Sequence, residues 1–579
     1  MSTKEKSKSY GSLDGFGGLD TSSPIGEGRT VALKNFKQLQ DGSIIKRGGY
    51  KLLVSLDDSI RGEIAYIDGG EEVILAVAGN KLYRISTETG EYVSEECFNE
   101  TDTPVTFFEF RGSLHIIADK AFYKYNGGTN ISPVLPYIPV VTLSSNYGSY
   151  NCQYPERLNM LTNKVRLQFE YDGSSILGLT SKLKLRSVDG IYVDDTAVQK
   201  SIYTLEKDGI NISIADSFES YKGNMITVYA TLYDEPNRSS DFESCNKASV
   251  FDSFSNSRVF LYGGNDENRF YVSEPINNKN ELDHQSAVYN DYALPLYFPI
   301  SEGTHFGSME KISAMCRVHD RMMIFTKKRA FATEELSEIT DSRDIVLDVR
   351  SYTVGCSSFN AVRQIDGISP VSVSYGGIYK WELDPTFNED IVCKKMSDRI
   401  DSLMSKSFFE NARVCYNRND EEIWFALHDT GEVFIYNTAL KTWYMYTDIF
   451  VERFIETGSG VSFIDGKDIF IFDGGECDIT KDGIRQIEGY VESAFICFQT
   501  SKGKKHVSGL NFVCELDKGS ISAVLDDGEV LDTSVLEGNN SIDLFDLRIR
   551  TPRTNKVKFK LTAGGLSRQR IYGVSLLTD

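Results

Sequence analysis

The stretch Asn35-Phe-Lys-Gln-Leu-Gln-Asp-Gly-Ser-Ile-Ile-Lys-Arg-Gly-Gly-Tyr50 predicts a strand, a tight turn at Asp41-Gly42 and a second strand. Many short strand-and-turn units follow it, each with a glycine-rich bend and one or two aromatic residues. Two of these units, residues 79–85 and 119–125, are nearly copies of each other. Repeated short strands with regular turns are typical of a β-propeller, so this pattern predicts a toroidal, all-β scaffold.

The spacing of the units, near the roughly 40–45 residues of a four-stranded blade, predicts about seven blades, with six to eight possible. Three prolines within residues 133–139 interrupt the pattern and favour a stiff linker. Longer strands then predict an inserted β-sandwich or barrel, and the chain after the last blade predicts a sandwich-like C-terminal domain. Only residues 397–409 have helical periodicity. The predicted division is a flexible N-terminal arm over 1–28, the first part of the propeller over 29–139, the inserted β domain over 140–247, the second part of the propeller over 248–482, and the C-terminal β domain over 483–579.

The composition limits the possible partners. The net charge is -21, from 62 Lys and Arg against 83 Asp and Glu. An acidic field repels phosphate, which argues against a nucleic-acid reader but not against a conduit through which DNA slides. No apolar run approaches the roughly 20 residues of a membrane helix, and the first ten residues have no apolar core of a signal peptide. We therefore expect no membrane partner and synthesis in the cytoplasm.

The ten cysteines are scattered, with no Cys-x-x-Cys pair and no Cys/His cluster. Zinc sites need closely spaced ligand pairs, so no metal site is predicted. We expect reduced thiols packed as small apolar side chains, with disulfides as the minor alternative.

No catalytic residue, cofactor-binding residue or metal ligand is predicted. Adjacent acids are expected by chance among 83, and we expect them at turns, exposed to solvent. The histidines lie far apart without a partner for general base catalysis, and the one in an apolar strand, His115, is expected in the core. The acid pairs are Asp194-Asp195, Glu421-Glu422 and Asp526-Asp527, and the other histidines are His284, His305, His319, His428 and His506.

Two further patterns have a structural explanation. Five Gly-Gly doublets, at 69–70, 127–128, 263–264, 376–377 and 474–475, suggest phosphate-binding loops, but no helix follows them and blade turns explain them. Trp381, Trp424 and Trp443 could stack on sugars, yet they fall in strands at blade spacing, which favours core packing.

The order of features resembles the β-propeller tail proteins of tailed bacteriophages, especially the packaged-DNA stabilisation (tail accessory) and nozzle proteins of short-tailed phages. The resemblance covers nearly the whole predicted propeller and none of the last hundred or so residues. It rests on five places: Phe16-Gly-Gly-Leu-Asp20 with Asn35 and Lys46-Arg-Gly-Gly-Tyr50; Arg157-Leu-Asn-Met-Leu-Thr162 with Phe169 and Asp172-Gly173; Arg258-Val-Phe-Leu-Tyr-Gly-Gly264 with Arg269-Phe-Tyr-Val-Ser-Glu-Pro275; Gly355-Cys-Ser-Ser358 with Tyr375-Gly-Gly-Ile-Tyr379 and Met396-Ser-Asp-Arg-Ile400; and residues 437–443.

This resemblance implies a virion structural protein, made in the bacterial host and located in the tail or neck. Copies of the chain would form a ring or nozzle below the portal that extends the DNA channel and helps to retain the packaged genome. The implied partners are other copies of the chain, the portal or adaptor, other tail proteins and tail fibres, with packaged DNA passing through the lumen without specific binding. The family has no catalytic signature, so no active-site residues carry over and no cofactor is implied.

Two alternatives from other classes remain open. The first is a carbohydrate-binding or receptor-contacting propeller of the baseplate or adhesin type, with exposed aromatics in residues 140–247 or 483–579. The second is a glycoside hydrolase, which needs two carboxylates near the scissile bond. Glycan affinity would favour the first, and turnover lost on changing one carboxylate would favour the second.

Overall fold

The computed structural model describes most of the chain, and each structural statement below refers to those residues. The described ranges are 8–13, 16–22, 29–99, 102–141, 156–178, 184–193, 196–233, 240–253, 256–275, 296–301, 303–305, 310–339, 341–365, 369–384, 386, 390–497, 506–538, 542–548, 554–567 and 569–578. The acid pair 194–195, His284 and Cys152 lie outside them, as does the side chain of His305.

The fold is all-β, as predicted. The strands up to residue 305 are β1 Lys8–Leu13, β2 Thr30–Lys34, β3 Phe36–Gln38, β4 Ile44–Lys46, β5 Gly49–Ser55, β6 Ile60–Asp68, β7 Glu71–Ala78, β8 Lys81–Ser86, β9 Tyr92–Glu96, β10 Thr106–Phe110, β11 Ser113–Ala118, β12 Ala121–Tyr125, β13 Ile131–Pro133, β14 Lys164–Glu170, β15 Ile176–Gly178, β16 Leu185–Val193, β17 Thr196–Ala197, β18 Tyr203–Leu205, β19 Asn211–Ile214, β20 Met225–Leu232, β21 Lys247–Phe251, β22 Arg258–Tyr262, β23 Arg269–Val272 and β24 Thr304–His305.

The remaining strands are β25 Ile312–Val318, β26 Arg321–Thr326, β27 Ala330–Thr333, β28 Leu347–Ser351, β29 Val362–Ile365, β30 Ser369–Ser374, β31 Gly377–Asp384, β32 Asp390–Lys395, β33 Arg413–Asn417, β34 Glu422–Leu427, β35 Glu432–Asn437, β36 Thr442–Tyr446, β37 Arg453–Thr457, β38 Gly460–Asp465, β39 Asp468–Gly475, β40 Cys477–Thr480, β41 Gly483–Gln486, β42 Gly489–Ser493, β43 Ile496–Cys497, β44 Val507–Glu515, β45 Lys518–Leu525, β46 Val530–Glu537, β47 Ile542–Arg548, β48 Lys556–Gly564 and β49 Arg570–Thr578. The described residues also contain two short α-helices, α1 Ser240–Ser244 and α2 Lys406–Asn411. They contain 3₁₀ turns at Lys200–Ile202, Asp216–Tyr221, Ser342–Asp344, Phe359–Ala361, Asp401–Leu403 and His428–Thr430.

Seven four-stranded antiparallel units, here called sheets 1 to 7, follow one another along the chain. Six are meanders of consecutive strands, and the seventh takes its fourth strand from the N-terminal segment. Their first strands contact each other in a closed cycle, β6–β10–β21–β25–β29–β33–β37 and back to β6. The sheets are β6–β9, β10–β13, β21–β24, β25–β28, β29–β32, β33–β36, and β37–β39 with β5.

Strand β7 shows how neighbouring sheets pack. It is buried from Val73 to its last residue, as expected for a strand covered on both faces. Val73, Leu75 and Val77 share a hydrophobic core with sheet 2, whereas Ile74 and Ala76 share one with sheet 7. Because successive side chains point to opposite faces, sheet 1 is packed between sheets 2 and 7.

Sheet 7 is completed from the other end of the chain. Strand β5 pairs antiparallel with β39, and Tyr50 lies opposite Phe472. Gly49 approaches the 477 carbonyl so closely that a Cβ there would lie 1.9 Å from its oxygen. Only glycine fits this position without moving the backbone.

The other N-terminal strands join the C-terminal strands. Strand β2 lies between β36 and β42, so sheet 6 continues through β42, β48 and β45 to β46, while β3 and β4 extend a second sheet through β49 and β44 to β47. The predicted division placed these N-terminal strands, within residues 29–139, in the first part of the propeller. Phe16 and Leu19, within the predicted flexible arm, are also buried against this body. The domain boundaries themselves stay a prediction.

The inserted segment forms two small sheets, β14-β20-β16-β17 and β15-β19-β18. Val165, Leu167 and Val228 belong to a hydrophobic core of its own. The predicted helix over residues 397–409 is wrong in its position, since α2 begins only at Lys406. The Ser405 hydroxyl caps it by accepting the Phe408 N–H at 3.0 Å, and the Ser397 hydroxyl is instead bonded to Asp401.

Candidate functional site

A cavity of ≈ 200 Å³ lies beneath the β3–β4 hairpin, where sheets 6 and 7 meet the N-terminal segment. Both charged and aromatic side chains line it, among them Lys37, Arg47, Asp420, Glu422 and Trp424. This concentration of buried charge makes the cavity a candidate site for chemistry.

Glu422 corrects one expectation. The pair Glu421-Glu422 was predicted to be solvated at a turn, and Glu421 does occupy the turn, with φ +53°. Glu422, the first residue of β34, is 1% exposed. It accepts hydrogen bonds from Tyr444 Oη and from Trp424 Nε1 at 3.0 Å. Tyr444 is remote in sequence, and Trp424 lies two residues further along the same strand. Neither spacing is a known sequence motif, so the sequence does not indicate that Glu422 is buried.

Lys37 completes this cluster. Its Nζ lies 2.7 Å from Glu422 Oε1 and 2.7 Å from Asp420 Oδ1. Burial lowers the pKa of Lys37, but the two carboxylates outweigh this effect and raise the pKa above its ordinary value. Lys37 therefore stays charged and bridges strand β3 to sheet 6.

The bonding pattern decides what Glu422 can do. Lys37 and Tyr444 occupy Oε1, and Trp424 occupies Oε2. A general acid or base must reach a substrate atom with a proton or a lone pair, whereas this carboxylate is committed to protein donors. The cluster is thus a clamp between the N-terminal hairpin and sheet 6.

A second clamp joins the end of the hairpin to β40, the strand that pairs with β5 of sheet 7. Arg47 Nη1 and Nη2 donate to the two oxygens of Asp478, each at 2.8 Å, and both side chains are 1% exposed. Arg47 Nε also donates to Asn35 Oδ1 at 3.0 Å, and the Tyr50 N–H donates to Asp478 at 3.3 Å. Bidentate, charge-assisted pairing of this kind fixes geometry as well as adding energy.

A cavity of ≈ 350 Å³ on sheet 7 has a different character. Tyr50, Phe463 and Phe470 form its aromatic floor, with ring centroids 5.0–5.6 Å apart. Phe450, 39% exposed, and Ile484, 70% exposed, stand at its rim. Charged side chains, among them Asp468 and Lys481, also line the cavity, so the result is an open groove with an aromatic floor and polar walls.

The remaining predicted residues are placed as follows. His115 is 5% exposed, as predicted; its Nδ1 donates to the Ser113 carbonyl at 3.1 Å, and burial lowers its pKa to about 4. His319, His428 and His506 lie in separate parts of the described chain, and His428 Nε2 is 3.1 Å from Asp465.

The tryptophans and the glycine doublets have structural roles. Trp381, Trp424 and Trp443 are at most 4% exposed, which confirms the core prediction. The doublets 69–70 and 127–128 lie at bends or turns, and 263–264 lies in the loop after β22. Gly376-Gly377 runs from a turn into β31, and Gly474-Gly475 ends β39. Asp526-Asp527 occupies the turn after β45, as predicted.

The cysteines in the described chain are free thiols, nine in number. Burial raises the pKa of Cys316 and of Cys356 to about 12, so neither is a ready nucleophile at neutral pH. No group of three His, Cys, Asp or Glu side chains able to hold a metal occurs among the described residues. The described part of the chain also contains no helix long and apolar enough to cross a membrane.

No protein-family model matches the chain, and no curated protein matches it. Among solved structures, it is similar to Hsv2 of Kluyveromyces lactis, at 7% identity and a TM-score of 0.27, covering 68% of this chain and 98% of that one. It is also similar to the extracellular domain of a one-component system from B. thetaiotaomicron, at 9% identity and a TM-score of 0.24, covering 91% and 80%. BBS1N in complex with ARL6DN gives 10% identity and a TM-score of 0.26, covering 74% and 97%. Scores this low carry no argument about this chain.

Proposed function

We propose that the seven four-stranded sheets are the blades of a β-propeller and that the protein is a structural component of a bacteriophage tail or neck. The observation that carries the architecture is the closed cycle of contacts between the first strands of the sheets. The packing of β7 between sheets 2 and 7 supports it, because propeller blades pack face to face around an axis.

The role in the virion rests on the resemblance to phage tail propellers, with the clamps as physical support. Strand β5 completes sheet 7, and the Lys37 and Arg47 clamps fasten the adjoining hairpin to sheet 6 and to β40. A load that pulls on the N-terminal segment must therefore break buried charge pairs and a full strand ladder. Such a subunit suits a ring below the portal that extends the DNA channel and helps to retain a packaged genome.

The charge supports the same role. A conduit must let DNA slide, and a net charge of -21 supplies no counterion-release drive for holding it. The partners in this proposal are other copies of the chain, the portal or adaptor and other tail proteins, with the DNA passing without specific binding.

Immunogold labelling of phage particles tests the proposal. Antibodies to this chain should place gold at the neck or tail, and particles made without the protein should lose packaged DNA. Particles that never carry the label would contradict the virion role.

A second candidate function is glycan binding, and the aromatic groove on sheet 7 favours it. An exposed ring such as Phe450 offers a stacking surface for a sugar, beside the carboxylate of Asp465. Glycan-array binding that is lost in Phe450→Ala would support this candidate. Retained binding in that variant would remove the groove from consideration.

A further inference from the structure

The sheet β14-β20-β16-β17 of the inserted segment has one face in the core and one face outside it. In β20 every second side chain, as in Ile226, Val228 and Ala230, is buried in the core of the insert. The alternate side chains, among them Thr227 and Tyr229, therefore lie on the outer face, where they are half-buried. We call the outer face of β14, β20 and β16 the tyrosine face.

Two tyrosine rings meet on this face beside a glycine. Gly190 lies opposite Tyr229 in the pairing of β16 with β20, and Tyr192 lies two residues further along β16, on the same face. A Cβ at Gly190 would stand 3.1 Å from Tyr192 Cε2 and 3.7 Å from its hydroxyl, so the Tyr192 ring leans over the glycine. The rings of Tyr192 and Tyr229 pack edge to face, with centroids 5.4 Å apart. The Tyr192 hydroxyl has no hydrogen-bond partner in the described part of the chain and is free to bond a ligand.

A β-bulge brings a carboxylate to the same face. The register of β16 against β20 shifts between Val188 and Gly190, which makes Asp189 the extra residue of the bulge. Asp189 Oδ2 accepts a hydrogen bond from Thr231 Oγ1, and Oδ1 accepts one from Ser187 Oγ, both at 2.9 Å. A carboxylate has about four acceptor positions, so Asp189 can still accept hydrogen bonds from ligand hydroxyl groups.

A third tyrosine stands beyond the carboxylate. Tyr233 directly follows β20 and is 69% exposed, and its N–H donates to the Lys184 carbonyl at 2.7 Å. At about 3.3 Å per residue, Tyr229 and Tyr233 are about 13 Å apart along the strand. Thr231 and its partner Asp189 lie between them. The tyrosine face thus presents aromatic rings on both sides of a polar centre.

The exposed charges on these strands balance. Glu170 and Asp189 are matched by Lys164 and Arg186, and all four side chains belong to exposed residues of β14 and β16. Lys164 Nζ lies 4.0 Å from Asp189. A surface without an excess of either sign provides no long-range attraction for an ionic ligand. The tyrosine face therefore favours an uncharged ligand.

We propose that the tyrosine face binds a neutral oligosaccharide. A sugar ring has an apolar C–H face and a rim of hydroxyl groups, which match the tyrosine rings and the Asp189 carboxylate in turn. A protein partner would need an apolar interface core, whereas the side chains between Tyr229 and Tyr233 are polar. The site goes beyond the virion role and is separate from the groove on sheet 7. It would give the protein a way to attach to a glycan-bearing surface.

Glycan binding by the full-length protein tests the inference. The probes are an array of neutral oligosaccharides of glucose, galactose, mannose and N-acetylglucosamine, with sialylated and sulfated glycans beside them. Isothermal titration calorimetry then measures the affinity for the neutral oligosaccharide that binds best. We expect Tyr192→Ala and Asp189→Ala each to weaken binding about tenfold, because each removes a stacking or hydrogen-bonding contact. Tyr192→Phe should retain most of the affinity, because it keeps the ring. Tyr352→Ala is the matched control and should bind as wild type does, since Tyr352 is 72% exposed and lies outside the insert.

Thermal unfolding checks that each variant folds, and Tyr233→Ala, which truncates an exposed ring, replaces Tyr192→Ala if that variant does not fold. A wild-type protein that binds no neutral oligosaccharide at about 1 mM would overturn the inference. Unchanged affinity in Tyr192→Ala would overturn it too, as would binding confined to the sialylated and sulfated glycans. Affinity that is lost in Phe450→Ala and kept in Tyr192→Ala would assign the sugar to the groove on sheet 7 and remove this inference alone. Particle labelling judges the virion role separately.

Discussion

The inserted segment and the C-terminal segment are both β additions to the seven sheets, but they are attached in opposite ways. Residues 164–232 have a hydrophobic core of their own, and the Leu232 N–H donates to the Asn163 carbonyl at 2.9 Å, so the segment leaves and returns at one point. Residues 483–578 share a core with sheets 4 to 7 and pair with N-terminal strands. The first is a separate attachment, whereas the second is part of the main body.

Two deletions test this difference, and they carry the largest expected effects. Removing residues 483–579 leaves β2 and β4 without β42 and β49, and uncovers buried side chains such as Leu33 and Ile44. Each large apolar side chain that loses its burial costs about 1.5–3 kcal/mol in the free energy of unfolding. Several such losses together equal the roughly 5–15 kcal/mol stability of a whole domain. We expect an unfolded or insoluble product by circular dichroism.

The matched deletion removes residues 164–231 and joins the ends with a short Gly-Ser linker. Because the two ends are neighbours, the seven sheets should keep a cooperative thermal transition. A variant without the C-terminal segment that still folds, or a variant without the insert that does not fold, would contradict this difference between the two segments.

Substitution of Arg47 tests the junction between the hairpin and β40, where the N-terminal segment meets the end of the seven sheets. Arg47→Met leaves the 1%-exposed Asp478 carboxylate without its main partner, which costs about 3–5 kcal/mol in the free energy of unfolding. Arg343→Met is the control, because Arg343, 66% exposed, pairs with Asp341 at the surface, where such pairs contribute about 0–1 kcal/mol. Denaturant titration measures both variants. Equal losses would mean that the Arg47 clamp does not hold the junction.

Gly49→Ala tests the closing strand itself. The added Cβ would lie 1.9 Å from the 477 carbonyl oxygen, a backbone atom that cannot rotate away, so we expect a loss of about 3 kcal/mol. Gly69→Ala is the matched control: it has φ +62° and open space around the added Cβ, and should lose about 1 kcal/mol. If both substitutions cost the same in chemical denaturation, β5 does not approach β40 as closely as described.

Local pattern predicted the strands well and their partners poorly. The alternation and apolar runs of Ser113–Ala118 and residues 72–78 place strands β11 and β7, because these signals lie within one strand. The pairing of β5 with β39 joins residues more than 400 positions apart, and no periodicity encodes it. The burial of Glu422 was missed for the same reason, since Lys37 and Tyr444 are remote in sequence.

The smallest expected effect lies in sheet 2, away from the junction. Burial lowers the pKa of His115 to about 4 from an unfolded value near 6.5, so between these pH values the unfolded chain binds a proton that the folded chain does not. The free energy of unfolding therefore has its full value above about pH 6.5. It decreases as the pH drops towards 4, by about 2 kcal/mol at pH 5. His115→Phe, which retains an aromatic ring beside Phe108, should unfold with a smaller difference between pH 7.5 and pH 5. An unchanged difference would show that His115 titrates alike in both states. In the double variant Arg47→Met/His115→Phe, losses that do not add would couple sheet 2 to the junction, whereas additive losses would keep the two regions independent.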